Sequence, residues 1–192
     1  LALAGPEEMV VKLSTGCSGV VLSDEGHVMT VKHCGTPANL TVTVGKTVVP
    51  ATRVYVVSEH DGPVVYDMDG EGYEHVRMAS EVPPPGSVVH SLGYPGRGPL
   101  RHAQGKLVDG ATQQGGMKVN RTTNMGVSPG WSGGPLFNEA GEVIGLLRGF
   151  EVGADGRHGI WVSFRACRKA YDSFWFGKKK EKPTPHPAPV IA

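Results

Sequence analysis

Apolar residues along this chain gather in short runs, each closed by Gly, Pro, Asn, Asp or Ser, and only one segment shows the three- and four-residue spacing of an amphipathic helix. The runs Val10 to Leu13, Gly19 to Leu22, His27 to Val31, Leu40 to Val44, Val48 to Val57, Val64 to Met68, Val88 to Leu92, Gly116 to Asn120, Gly141 to Leu147 and Gly159 to Phe164 each predict a strand. Ten such strands at this spacing point to an all-β sandwich or barrel. Ser23-Asp24-Glu25-Gly26 and Asn138-Glu139-Ala140-Gly141 carry hairpin chemistry, with Gly placed where a positive φ is needed. Arg165 to Phe176 sets Ala166, Ala170, Phe174 and Trp175 at rough helical spacing, which predicts a terminal helix packed on the barrel.

Composition supports the all-β reading. Among the 192 residues there are 26 Val against 11 Leu, together with 28 Gly and 15 Pro, a balance that favours strands and tight turns. A formal net charge of +1 creates no global field that would concentrate nucleic acid or anionic lipid. No apolar run reaches the roughly 18 residues of a transmembrane helix. Leu1-Ala2-Leu3-Ala4 lacks the basic flank and length of a signal peptide, and a start other than Met suggests a piece of a longer polypeptide. From Gly177 the composition changes to Lys178-Lys179-Lys180-Glu181-Lys182 and then Pro183, Pro185, Pro187 and Pro189. Such a segment cannot build a core, so residues 178–192 read as a flexible tail behind a folded unit of residues 1–177. The Lys178 to Lys182 run is a candidate for weak RNA or membrane-surface contact, set against the commoner reading of a solvated tail.

Two motifs carry chemistry. Ser128-Pro129-Gly130-Trp131-Ser132-Gly133-Gly134-Pro135-Leu136 holds a serine among glycines. Those glycines permit backbone torsions that aim the amides of Gly130 and Ser132 at one point, where an oxyanion can be held. About 100 residues upstream, Val28-Met29-Thr30-Val31-Lys32-His33-Cys34 places a histidine just after a predicted strand. Because an imidazole can gain and lose a proton near neutral pH, a histidine such as His33 can take the proton of a serine hydroxyl and return it to a leaving amine.

These residues resemble the chymotrypsin-fold serine proteases over most of Val10 to Phe164. Cys17-Ser18-Gly19-Val20-Val21-Leu22 leading to Thr30-Val31-Lys32-His33-Cys34 is similar to the first hairpin and histidine box, and Gly130 to Leu136 followed by Gly141-Glu142-Val143-Ile144-Gly145-Leu146 to the serine box and the strand pair after it. The resemblance implies two six-stranded antiparallel β-barrels, divided near residues 80–100, with a C-terminal helix. It also calls for an acid between His33 and Ser132. Asp61 is the choice, because Val54 to Tyr66 resembles the strand, turn, Asp and short apolar strand of the HtrA-like branch; Pro63 departs from the small residue usual there. Asp67 and Asp69 are the alternatives. The residue before the serine is Trp131, where activated digestive proteases carry Asp, which implies a site formed without pairing to a newly cut N-terminus. Pro129 to Gly133 with Pro135 is similar to the serine box of sobemovirus-like and polerovirus-like polyprotein proteases.

The implied activity is a serine endopeptidase working through Ser132, His33 and Asp61, with processing of a viral polyprotein in a host cell as the first setting. A bacterial HtrA-like or secreted protease, or an inactive binding module, is the alternative. A peptide or polyprotein is the expected partner, no cofactor is required, and no zinc or calcium spacing is present, the cluster Asp67, Asp69 and Glu71 reading as a solvated loop. Cys17 and Cys34 stand where the family places a disulfide beside the histidine, with three reduced thiols as the other possibility. By the same resemblance, substrate pairs with the strand around Arg148, Gly149 and Phe150, and the P1 pocket is walled by Gly126, Val127, Phe150 and His158. No acid lies at the pocket floor, so Lys or Arg is not expected at P1. Arg148 and His158 would suit Glu or Gln if they point inward; if they point outward, the pocket is small or apolar.

Overall fold

The computed structural model describes residues 6–58, 61–96, 98–114, 117–154 and 156–177. A short helix, α1 (Pro6–Met9), leads into six strands: β1 (Val10–Leu13), β2 (Ser18–Val21), β3 (His27–Val31), β4 (Asn39–Val44), β5 (Thr47–Val56) and β6 (Pro63–Met68). They close into a barrel in the order β1-β2-β3-β6-β5-β4. Residues 69–87 cross to a second set, β7 (Val88–Gly93), β8 (Arg101–Gln114), β9 (Met117–Thr122), β10 (Pro135–Phe137), β11 (Val143–Gly153) and β12 (Gly156–Val162), closed in the order β10-β11-β12-β9-β8-β7. The helix α2 (Phe164–Gly177) follows.

The double barrel is the expected fold. Two of its strands, β8 and β10, and the short helix α1 were not among the predicted elements, and the run expected over Gly141 to Leu147 begins at Val143 and continues to Gly153.

Each barrel fills with its own apolar set, Val11, Leu13, Val21, Val28, Val64 and Tyr66 in the first, Val89, Leu107, Leu136, Ile144, Leu147 and Trp161 in the second. A third cluster joins them: Val10, Val20 and Met29 from the first barrel meet Phe137, Leu146 and Val162 from the second and Cys167 and Ala170 from α2. Each of these Val, Leu, Met and Phe side chains fully removed from water contributes about 1.5–3 kcal/mol, so the seam between the barrels is a packed core rather than a hinge. Ser163 starts α2, its Oγ accepting the amide of Ala166 at 3.2 Å, and the Phe164 amide donates to Asn120 Oδ1 at 3.1 Å. Burial pushes the Cys167 thiol up to about 12, so it is packing, not chemistry.

Candidate active site

The ladder between β3 and β6 pairs Val31 with Pro63, and the register continues past the strand ends. The Lys32 amide donates to Gly62 O at 3.0 Å, and the next step places His33 beside Asp61. His33 sits in a single 3-10 turn, Lys32–Cys34, whose last residue is held to the start of β2 by a Cys17–Cys34 disulfide. Antiparallel register alone thus brings together a histidine and an aspartate 28 residues apart.

Their contact is close and multiple. Asp61 Oδ1 accepts the His33 backbone amide at 3.0 Å, and Oδ2 lies 2.9 Å from His33 Nδ1. An ionised carboxylate only accepts, so Nδ1 carries a proton, and in the neutral ring it is Nε2 that has the lone pair. Asp61 is 5% exposed, while the His33 side chain is open to solvent. Burial works to raise the Asp61 pKa, but the hydrogen bonds and charge of His33, with the Arg148 guanidinium, outweigh it and hold the carboxyl below its usual range.

Ser132 lies across the barrel seam on a loop fixed from both sides. The Ser18 amide on β2 donates to Ser132 O at 2.8 Å, and Ser18 Oγ donates to Gly130 O at 2.9 Å. On the other flank the Gly133 amide donates to Leu147 O at 2.9 Å and Leu147 returns its own amide to Gly134 O at 2.8 Å. Trp131 O accepts the Gly134 amide at 2.8 Å; because a trans peptide points N–H opposite to C=O, the Ser132 amide faces the other way. Gly130 takes φ +92°, and a Cβ there would come within 2.3 Å of the Gly96 amide. Gly133, at φ +83°, is equally obligatory: a Cβ would meet Ser18 O at 2.2 Å and Thr30 Oγ1 at 2.4 Å. The serine loop is therefore pressed against β2 and β3, three residues of chain ahead of His33.

The remaining candidates fall into place unevenly. Asp67 turns to the buried His27, its Oδ1 3.4 Å from Nε2, and Asp69 lies on the exposed turn beyond β6, so neither competes with Asp61 beside His33. Among the described residues no group of three or more His, Cys, Asp or Glu is arranged to hold a metal. Gly126 is exposed at φ +71°, Val127 is buried in the second barrel, and Gly149 falls at an irregularity in the β11–β12 register. Phe150 is 47% exposed, with the Arg157 guanidinium 3.4 Å over its ring. Arg148 Nε is bonded to Asp61 Oδ2 at 3.2 Å, and His158 is 5% exposed, opposite Glu151 in the ladder. Lys178 to Lys182 lies outside the described residues. Sequence reasoning did not find the contacts of Ser18 with Gly130 and Ser132 or of Arg148 with Asp61, since contacts between barrels leave no local pattern.

The model of the trypsin-like peptidase domain matches residues 17–146, and the chain belongs to that family. A search of curated proteins gave no significant match. Among solved structures, the Rv3671c protease from M. tuberculosis in its active form aligns with a TM-score of 0.75 at 24% identity, over 94% of this chain and 85% of that one. The MamO protease domain from Magnetospirillum magneticum aligns with a TM-score of 0.71 at 23% identity, over 86% and 97%. The HtrA-type protease AlgW, solved with a decapeptide, aligns with a TM-score of 0.72 at 22% identity, over 83% of this chain and 51% of that one. At these identities the likeness establishes the chymotrypsin-like fold alone.

Proposed function

We propose that the chain is a serine endopeptidase of HtrA type, with Ser132 as nucleophile, His33 as general base and acid, and Asp61 as the orienting carboxylate. The observation that carries this reading is the His33 Nδ1 to Asp61 Oδ2 bond of 2.9 Å, which selects the neutral tautomer whose Nε2 can accept a proton, in a histidine open to solvent. Ser132 Oγ attacks the scissile carbonyl carbon while its proton passes to Nε2. The negative charge moves to the carbonyl oxygen and is held by the amides of Gly130 and Ser132. The C–N bond then breaks as Nε2 gives its proton to the amine, and water cleaves the acyl-enzyme by the same route. Asp61 stays ionised throughout, paired with the imidazolium. An extended peptide adds to β11 near Gly149 and Phe150.

The Cys17–Cys34 bridge favours an oxidising, secreted or periplasmic setting over a viral polyprotein in the host cytoplasm. The test is hydrolysis of a diverse peptide library read by mass spectrometry. Ser132→Ala and His33→Ala are each expected to lose roughly 10³-fold or more in kcat/KM with an unchanged circular dichroism spectrum. Full activity in either variant overturns the mechanism, and peptide binding without cleavage by the native chain would make it an inactive binding module.

A further inference from the structure

We propose that Arg148 is a positioning residue for the His33–Asp61 pair, locking the Asp61 carboxylate from the second barrel. The inference builds on the roles given above to His33 and Asp61. Asp61 is almost fully buried, and its two oxygens need several donors to replace water. His33 supplies its backbone amide to Oδ1 and its ring Nδ1 to Oδ2. Both donors come from one residue of one barrel, so they alone leave the carboxylate able to swing with the His33 turn. Arg148 adds a donor from a different direction, its Nε 3.2 Å from Oδ2, with a side chain 16% exposed. A planar guanidinium holds such a contact more rigidly than an ammonium.

The position of Arg148 in the chain gives the contact its meaning. Leu147, the residue before it on β11, exchanges backbone hydrogen bonds with Gly133 and Gly134, immediately after Ser132. Two successive residues of one strand therefore hold the serine loop and the acid, fixing Ser132 and Asp61 relative to each other although they belong to different barrels. The same strand is the one on which an extended substrate is expected to pair, so filling the cleft presses on a strand already bonded to the acid. Of the other charged groups near the pair, Lys32 extends its ammonium to Val57 O at 3.1 Å. Glu59 and His60, the neighbours of Asp61 in sequence, lie outside the described residues.

Arg148→Met removes charge and donor at similar length, and Arg148→Lys keeps the charge without the fork. In the full chain, Arg148→Met is expected to lower kcat on the order of tenfold with little change in KM, since it disturbs alignment rather than substrate contacts. The acid limb of its kcat/KM profile moves to higher pH, because loss of the cation lets the His33–Asp61 pair hold a proton more tightly. Arg148→Lys restores the limb and part of kcat. A second readout needs no activity: the Asp61 carboxyl carbon, followed by NMR, titrates at higher pH in Arg148→Met than in the native chain. An unmoved Asp61 titration together with an unmoved limb overturns the proposal, and so does a KM that rises with kcat unchanged, which would return Arg148 to the substrate pocket. A native chain that cleaves nothing, yet whose Asp61 titration moves on Arg148→Met, overturns the protease reading and leaves the positioning role standing.

Discussion

Trp131 stands where a carboxylate would make the serine loop depend on a new N-terminus, and its side chain holds that loop in another way. It is 3% exposed, its Nε1 donates to Ser91 Oγ at 3.0 Å, and Ser91 passes its own proton to Pro135 O at 2.7 Å. The indole lies so close to β7 that a Cβ on Gly93 would come within 2.2 Å of Cδ1. Volume and hydrogen bond are separable. Trp131→Ala opens a cavity beside Ser132 and is expected to cost about 3–5 kcal/mol in urea unfolding, whereas Trp131→Phe keeps most of the packing, leaves Ser91 bonded to Pro135 and costs about 1 kcal/mol. Equal losses would place the weight on the hydrogen bond instead. At this scale the sequence was informative where a residue's chemistry is tied to its neighbours, Ser132 among glycines and His33 after a strand, while Asp61 was chosen by the resemblance of Val54 to Tyr66 to a family segment. It put Arg148 on the substrate strand but not beside Asp61, because nothing in Leu-Leu-Arg-Gly-Phe says which carboxylate lies across the barrel seam.

Strands were legible where Val and Ile mark them and illegible where they do not. β8 runs from Arg101 to Gln114 through Gln, Gly, Lys and Asp, and of its first half only Ala103 and Leu107 are buried, so propensity gave no signal and pairing with β7 and β9 decides the conformation. β10 has three residues, too few for any period, and was absorbed into the serine motif. The β7–β8 pairing also creates a feature no periodicity shows. His90 Nδ1 lies 3.0 Å from His102 Nε2, with the rings stacked at 5.2 Å. Burial lowers the pKa of both; the neighbouring Glu139 charge partly offsets this at His90, and the His90 charge lowers His102 further. Unfolded, these imidazoles bind protons near pH 6.5, so as pH falls through that value the unfolded state takes up protons that the folded pair resists, and stability drops. Urea midpoints should therefore decline between about pH 7 and pH 5, and His102→Gln should decline less steeply. A native and a His102→Gln profile that run parallel would mean the pair contributes nothing to the acid sensitivity.

For the whole molecule, two boxes in the right order made the double barrel readable, but the way the barrels grip each other across the Ser132 loop was not. Ser18 is the centre of that grip. Its amide and hydroxyl hold Ser132 O and Gly130 O, its hydroxyl accepts the Tyr94 amide at 3.0 Å, and its carbonyl accepts Thr30 Oγ1 at 2.9 Å. One residue of the first barrel thus fixes the peptide plane before Trp131 and the one after Ser132, and ties them to the end of β7 in the second. A loop held this way has no need of an α-ammonium, and Trp131 offers none a carboxylate. Extending the chain ahead of Leu1 should then leave kcat/KM on a short peptide within about threefold of the native value. Ser18→Ala frees the Gly130 carbonyl, lets the oxyanion amides drift and should lower kcat on the order of tenfold, with KM little changed. The opposite pattern, an enzyme silent until it is cut before Leu1 and indifferent to Ser18→Ala, would mean that a free N-terminus shapes the oxyanion site and that the contacts of Ser18 follow from that shape instead of setting it.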